Sequence, residues 1–142
     1  MKNVIDIEIT VPNQTRYLSL IGKIGENTAR ALDRFNGDRE ALAHHLNLVL
    51  TEAMANAIKH ANATDPDKGL HIRISISGNQ LAIRVYDTGK GFDLNAVTNP
   101  DFDTDPLAEQ GRGIFIIRSL MDSVKYKKTK CGNVLEMKKA LR

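Results

Sequence analysis

Residues 71–87 read HIRISISGNQLAIRVYD. Apolar and polar side chains alternate along His71–Ser77 and again along Gln80–Asp87, which is the periodicity of a β-strand with one buried face. Between them, Gly78-Asn79 is a typical two-residue turn, so the stretch predicts an antiparallel hairpin. The expected core face of this hairpin consists of Ile72, Ile74, Ile76, Leu81, Ile83 and Val85, and it ends with Asp87.

The segments on either side of the hairpin complete an α+β pattern. Their order predicts a two-layer α/β sandwich, in which helices cover one face of a mixed, mostly antiparallel sheet. One domain is expected over residues 1–142, because a chain of this length builds one hydrophobic core. The expected elements outside the first hairpin are a strand at 4–11, helices at 14–34, 38–62 and 112–121, and strands at 124–128 and 134–138.

The composition is that of an ordinary globular protein, with 42% hydrophobic and 26% charged residues. The longest unbroken apolar run is Ile114–Ile117, far shorter than the roughly 20 residues that span a membrane. The N-terminus lacks the apolar stretch of a signal peptide. A single cysteine, Cys131, cannot form an internal disulfide, so we expect a cytoplasmic protein that does not bind membranes.

Charge is unevenly distributed, although the net charge is only +3. Asp93–Glu109 holds five acids and neither Lys nor Arg, whereas Ser123–Arg142 holds seven basic residues and one acid. Such blocks are usually solvated faces, but a basic block can also contact a protein or a nucleic acid. Direct nucleic-acid binding is the least favoured function, because the basic block offers only Tyr126 as a stacking aromatic.

Glu52 and Asn56 lie four residues apart in the second predicted helix and therefore on the same side of it. His45 and Lys59 fall on that side too, which is typical of a solvated face. Apolar residues such as Val49 flank the pair, which is typical of a pocket wall. The spacing alone leaves both interpretations open.

Asp87 closes the apolar row of its strand. Because an unpaired buried charge is costly, the carboxylate needs hydrogen-bond donors. These are either backbone N–H groups of the turn that follows or an amino group of a ligand. Gly89 and Gly91 come next, and glycines allow the backbone to approach a ligand closely.

Gly111-Arg112-Gly113 lies at the start of the short apolar helix predicted at 112–121. Glycines at a helix N-terminus can cradle a phosphate, because free N–H groups and the positive end of the helix dipole point the same way. The alternative is that Gly111 only opens the helix. Before it, Thr88–Gly111 shows no periodicity, and loops of that length are usually functional.

These three features occur in a fixed order, in the segments EAMANAIKHA at 52–61, VYDTGKGFD at 85–93 and GRGIFIIRSLMD at 111–122. In this order they resemble the ATP-binding domain shared by gyrase, the MutL repair proteins and histidine kinases, called the GHKL or Bergerat fold. Within that superfamily they look most like the stand-alone anti-sigma factor serine kinases. The resemblance extends over about residues 4–139.

The resemblance implies an ATP and Mg²⁺ site. Asn56 would be the Mg²⁺ ligand, Glu52 the general base, and Asp87 the acceptor for the adenine amino group. Residues 95–110 would form a lid over the nucleotide. The remaining implied nucleotide-binding residues are His60, Gly89, Gly91, Gly111, Arg112 and Gly113.

The chain departs from the family pattern at two positions. Where some of these kinases carry an arginine before the second glycine box, this chain has Glu109-Gln110, which leaves Arg112 as the candidate for the γ-phosphate contact. Where relatives often carry Gly-Thr in the last hairpin, it has Gly132-Asn133-Val134. We therefore expect no ligand contact from that segment.

The implied function is an ATP-dependent protein serine/threonine kinase that restrains a sigma factor and phosphorylates an anti-anti-sigma (STAS-type) protein. A homodimer is expected from the family alone. The alternative from a different class is a non-catalytic module, in which ATP gates the binding of a protein partner. Glu52 favours the kinase, because a binding module has no need of a base there, whereas the Glu109-Gln110 departure favours the module.

Overall fold

The computed structural model describes residues 4–60, 69–87, 109–129 and 132–141. Five strands form one sheet, in which every pairing between neighbours is antiparallel. They are β1 (Val4–Pro12), β2 (Gly69–Ser77), β3 (Gln80–Asp87), β4 (Ser123–Thr129) and β5 (Gly132–Ala140). Their spatial order is β1-β2-β3-β5-β4, so β1 and β4 are the edges.

The central hairpin predicted from residues 71–87 is confirmed. Ser77 pairs with Gln80 around Gly78, whose φ of 62° suits glycine. The predicted core side chains of both strands are buried, and so is Asp87. The expectation of a mixed sheet is wrong for these strands, because β4 follows its helix onto the outer edge and pairs only with its hairpin partner β5.

In the described ranges, three α-helices cover one face of the sheet: α1 (Leu18–Arg30), α2 (Arg39–His60) and α3 (Glu109–Leu120). The first predicted helix is shorter than expected, because Gln14 is extended and a 3₁₀ turn at Thr15–Tyr17 precedes α1. α2 begins after Asp38, whose Oδ1 accepts a hydrogen bond from the Ala41 N–H at 3.0 Å and so caps the helix. Across the described parts of the chain, no helix combines the length and apolarity that crossing a bilayer requires.

Two glycines set how closely α1 approaches α2. A Cβ placed on Gly25 would lie 2.5 Å from Leu50 Cδ1 and 3.1 Å from the Leu46 carbonyl oxygen. A Cβ on Gly22 would lie 2.6 Å from Asn47 Oδ1. The two helices therefore pack backbone against side chain here, and α2 is held between α1 and α3.

Candidate functional site

The side of α2 that carries Glu52 packs against α3. Glu52 and Asn56 are both half-buried, and neighbouring Val49 is fully buried. A Cβ built on Gly113 would lie only 2.9 Å from Glu52 Oε2, so the carboxylate reaches across to the second turn of α3. This geometry favours the pocket wall over the solvated face for Glu52.

The helix α3 begins at Glu109, not at Arg112 as the sequence suggested. Glu109 and Gln110 occupy its first turn, together with Gly111 and the exposed Arg112. The N–H groups of a first turn lack intrahelical acceptors, so the backbone N–H of Gly111 is in a position that can donate to a phosphate. Gly113 lies beyond that turn, where its lack of a side chain instead makes room for Glu52.

Asp87 is only 6% exposed, and one of its partners lies in the last hairpin. The side-chain amide of Asn133, also 6% exposed, donates a hydrogen bond of 2.8 Å from Nδ2 to Asp87 Oδ1. The two residues face each other across β3 and β5. A signal for this was present in the sequence, since Asn133 continues the buried alternation of Leu135 and Met137 as Asp87 continues that of β3.

The end of α2, the end of β3 and the start of α3 lie toward the same end of the sheet. His71 pairs with Tyr86, so the start of β2 and the end of β3 lie together. α2 ends at His60, shortly before β2 begins. α3 leads into β4, whose first residue pairs with Lys138 at the opposite end, so the start of α3 is directed toward the Asp87 end.

A concavity of about 310 Å³ opens at the same end, a volume within the usual range for small-ligand sites. Asp87 and Asn133 border it from the core face of the sheet, and His71, Tyr86 and Val134 border it from the other face. The rings of His71 and Tyr86 have centroids 5.5 Å apart. The buried polar pair therefore lies beside accessible space.

A larger concavity of about 410 Å³ lies at the opposite end, where its charged groups already have partners within the protein. Lys139 Nζ donates to the Leu120 carbonyl at 2.9 Å, and Asp122 Oδ2 accepts from the Ala140 N–H at 2.7 Å. We therefore assign the candidate site to the Asp87 end.

The charge of Lys139 also acts on His45 of α2. Burial lowers the pKa of His45, and the charges of Lys139 and His44 act in the same direction.

Several predicted residues fall outside the described parts of the chain. Gly89 and Gly91 do, as do residues 95–108 of the expected lid and Cys131. His60 is the last residue of α2 and Gly111 lies in α3, but their side-chain surroundings are not described. The roles inferred for all of these residues stay predictions.

The described oxygen donors can be compared with the Mg²⁺ site that the family resemblance implies. Among the residues that the structure describes, no group of three or more His, Cys, Asp or Glu side chains could hold a metal ion. Mg²⁺ is usually bound through one or two protein oxygens together with substrate phosphates and waters. One amide oxygen, from Asn56, fits that pattern.

Comparison with known proteins identifies the family to which the fold corresponds. A family model described as the histidine kinase-like ATPase domain matches residues 15–139. The serine-protein kinase RsbW of Bacillus subtilis is 30% identical over 132 residues, which cover 88% of this chain and 80% of the relative. The anti-sigma F factor of Anoxybacillus flavithermus is 34% identical over 96 residues, which cover 66% of each chain.

Solved structures show the same fold. The histidine kinase domain of a blue-light activated histidine kinase from Erythrobacter litoralis matches with a TM-score of 0.56 at 21% identity over 92% of this chain. The kinase EL346 from the same organism matches with a TM-score of 0.55 at 19% identity. The chain spans 62% of the first solved chain and 42% of the second, so both likenesses concern the ATPase fold alone.

Proposed function

Since this chain belongs to the histidine kinase-like ATPase domain family, we propose that it is an ATP-dependent serine/threonine kinase that also acts as an anti-sigma factor. Its similarity to a serine-protein kinase over most of both chains supports this reading, as does its similarity to an anti-sigma factor. The observation that carries the proposal is the position of Glu52 on α2, one helical turn before Asn56 and in contact range of α3.

In this proposal Asp87 recognises the base of ATP. A carboxylate accepts hydrogen bonds and donates none, which matches the exocyclic amino group of adenine. Asp87 is buried at the end of β3, where it borders the concavity of about 310 Å³. Gly89 and Gly91 follow it in sequence and would let the backbone approach the nucleotide.

The phosphates would extend from the base toward α2 and α3. Asn56 would offer its amide oxygen to Mg²⁺, and the ion, when bound, supplies positive charge that offsets the triphosphate. Gly111 in the first turn of α3 would offer a backbone N–H, and the exposed Arg112 a cation. Arg112 would then replace the arginine that Glu109-Gln110 displaces.

Glu52 would act as the general base for phosphoryl transfer. The hydroxyl oxygen of a protein Ser or Thr forms a bond to the γ-phosphorus, while the bond from that phosphorus to the β–γ bridging oxygen breaks. ADP leaves, and the hydroxyl proton goes to the carboxylate of Glu52. A positioned base of this kind typically contributes about 10²- to 10⁴-fold to the rate.

The partners that we propose are a sigma factor, which the chain restrains, and an anti-anti-sigma protein of the STAS type, which it phosphorylates. Phosphorylation adds about −1.5 to −2 charges to a hydroxyl side chain, enough to disrupt a closely packed interface. The pathway would operate in the cytoplasm, where sigma factors act, and the kinase would be a homodimer.

A transfer assay tests the function. The wild type and Glu52→Gln are incubated with Mg²⁺, γ-labelled ATP and STAS proteins from the same genome. The proposal predicts that label reaches a Ser or Thr of one STAS protein with the wild type, and much more slowly with the variant. The result that favours the alternative, a non-catalytic ATP-gated binding module, is ATP-dependent association of the two proteins without any label transferred.

A further inference from the structure

We propose that Asn133 is a positioning residue for nucleobase recognition, which makes the site selective for purines with an exocyclic amino group at position 6. It would act through Asp87, by holding that carboxylate in one orientation. The inference deepens the proposed ATP-dependent function and rests on it. It gives the last hairpin an indirect part in the site, although we expect no ligand contact from that segment.

The contact between the two side chains is short and shielded from water. Asn133 Nδ2 lies 2.8 Å from Asp87 Oδ1, and both residues are only 6% exposed. A hydrogen bond to an ionised group contributes more than one between neutral groups, so losing this donor is costly. The amide therefore fixes the torsion of the Asp87 carboxylate before any ligand arrives.

The position of Asn133 in the hairpin does not require an asparagine. The β4–β5 turn is closed by Thr129, whose Oγ1 donates to the Gly132 carbonyl at 2.7 Å. Gly132 itself takes the positive φ of 141° that this turn needs. Thr129 and Gly132 thus hold the turn, and the Asn133 side chain donates to Asp87 on the neighbouring strand β3.

The chemistry of the pair selects between bases. Because Asn133 is a neutral donor, it orients the carboxylate without cancelling its charge, so Asp87 faces the ligand as an acceptor. Adenine offers N–H donors at position 6, and guanine offers a carbonyl oxygen there. An acceptor facing an acceptor leaves both desolvated and unpaired, which is the strongest basis for rejecting a ligand of the same shape.

The test compares nucleotides that differ only at position 6. Calorimetry measures the binding of ATP and of purine riboside triphosphate, which lacks the amino group, to the wild type and to Asn133→Leu, a side chain of similar size without a donor. We expect the variant to bind ATP about tenfold more weakly and the analogue with unchanged affinity. A merely structural role for Asn133 would weaken both nucleotides by the same factor and overturn the inference, as would unchanged ATP binding.

Two further variants complete the experiment. Asn133→Thr keeps a donor and should recover part of the ATP affinity. If the melting curve shows that Asn133→Leu is unfolded, Asn133→Thr provides the comparison instead. Equal weakening of ATP binding and analogue binding in Asn133→Thr would overturn the inference. Thr28→Val removes another buried polar group, the hydroxyl that donates to the Ile24 carbonyl at 2.7 Å. This variant should bind both nucleotides with wild-type affinity. Wild-type protein that binds no ATP would instead overturn the proposed function itself.

Discussion

Glu52 and Gly113 lie against each other across the contact between α2 and α3. A Cβ on Gly113 would be 2.9 Å from Glu52 Oε2 and 3.8 Å from Glu52 Cβ, so only glycine leaves the carboxylate where it is. The same short helix carries Gly111 and Arg112 in its first turn. Because Gly113 has no side chain, the carboxylate of Glu52, the proposed base, can lie against α3, the helix that would bind the phosphates.

Gly113→Ala should lower phosphoryl transfer without unfolding the protein. The added methyl group meets the end of a flexible side chain, so Glu52 can swing away at little cost in folding free energy, and alanine favours the helix. A displacement of about 1 Å at a reacting group can reduce the rate by about 10²-fold. The checks are the transfer rate and the melting temperature.

The control for this variant is Ser119→Ala, at an exposed position of the same helix, which should leave the transfer rate unchanged. A Gly113→Ala protein that transfers phosphate at the wild-type rate would contradict the assignment of Glu52 as the base.

Glu52→Gln and Asn56→Ala should separate catalysis from binding, although the two residues share one helix face. Glu52→Gln keeps the shape and removes the base, so Mg-ATP affinity should persist while transfer falls by about 10²- to 10⁴-fold. Asn56→Ala removes the metal ligand, so Mg-dependent affinity and transfer should fall together, with ADP binding in the absence of Mg²⁺ much less affected. Equal effects of the two variants on Mg-ATP affinity would count against these separate roles.

Gly25→Ala should destabilise the fold. Its Cβ would lie 3.1 Å from the Leu46 carbonyl oxygen and 2.5 Å from Leu50 Cδ1, and the backbone of α2 cannot move aside as a side-chain end can. Overpacking of this kind typically costs about 1–3 kcal/mol. Urea unfolding measures the loss, with the exposed Ser19→Ala on the same helix as the control. A stability equal to that of the wild type would show that α1 can shift freely over α2.

The ion pair of Arg84 and Glu136 on the outer face of the sheet should contribute stability that depends on pH. Burial tends to raise the pKa of Glu136, but the hydrogen bond of 2.9 Å and the charge of Arg84 outweigh it, and the pKa lies below the ordinary 4.5. As the pH falls below 4.5, the unfolded chain takes up the proton first, so this stabilisation is lost as the pH falls through the folded pKa.

Glu136→Gln should therefore reduce the free energy of unfolding at neutral pH by up to about 1 kcal/mol and show a shallower loss in acid. Urea unfolding of both proteins across the acid range is the measurement. If the free energy of unfolding falls as steeply with decreasing pH in the variant as in the wild type, other carboxylates cause the pH dependence.

Much of the fold could be predicted from side-chain alternation, because in a strand with one buried face the alternation shows which side chains face the core. The hairpin at residues 71–87 and the burial of Asp87 are of this kind. The start of α3 was not predicted, because Glu109 and Gln110 continue an acidic, aperiodic stretch, and no local pattern reports that α3 contacts α2. The edge position of β4 was likewise not encoded in any local pattern.

At the site, the spacing of Glu52 and Asn56 fixed their common face, but not what that face contacts. The approach of Glu52 to Gly113 and of Asn133 to Asp87 join residues distant in sequence, and no periodicity reports on such pairs. Asn133 was discounted because it departs from a family pattern. The structure shows that the departing residue supplies a donor to Asp87.

The central claim is that the Asp87 end of the sheet binds ATP, and calorimetric titration with Mg-ATP and ADP tests it most directly. The wild type should bind both nucleotides, and Asp87→Asn should bind both at least about tenfold more weakly, because the substitution alters base recognition and leaves the phosphate end intact. A wild type that binds no nucleotide in Mg²⁺, or a variant that binds as tightly as the wild type, would contradict the account.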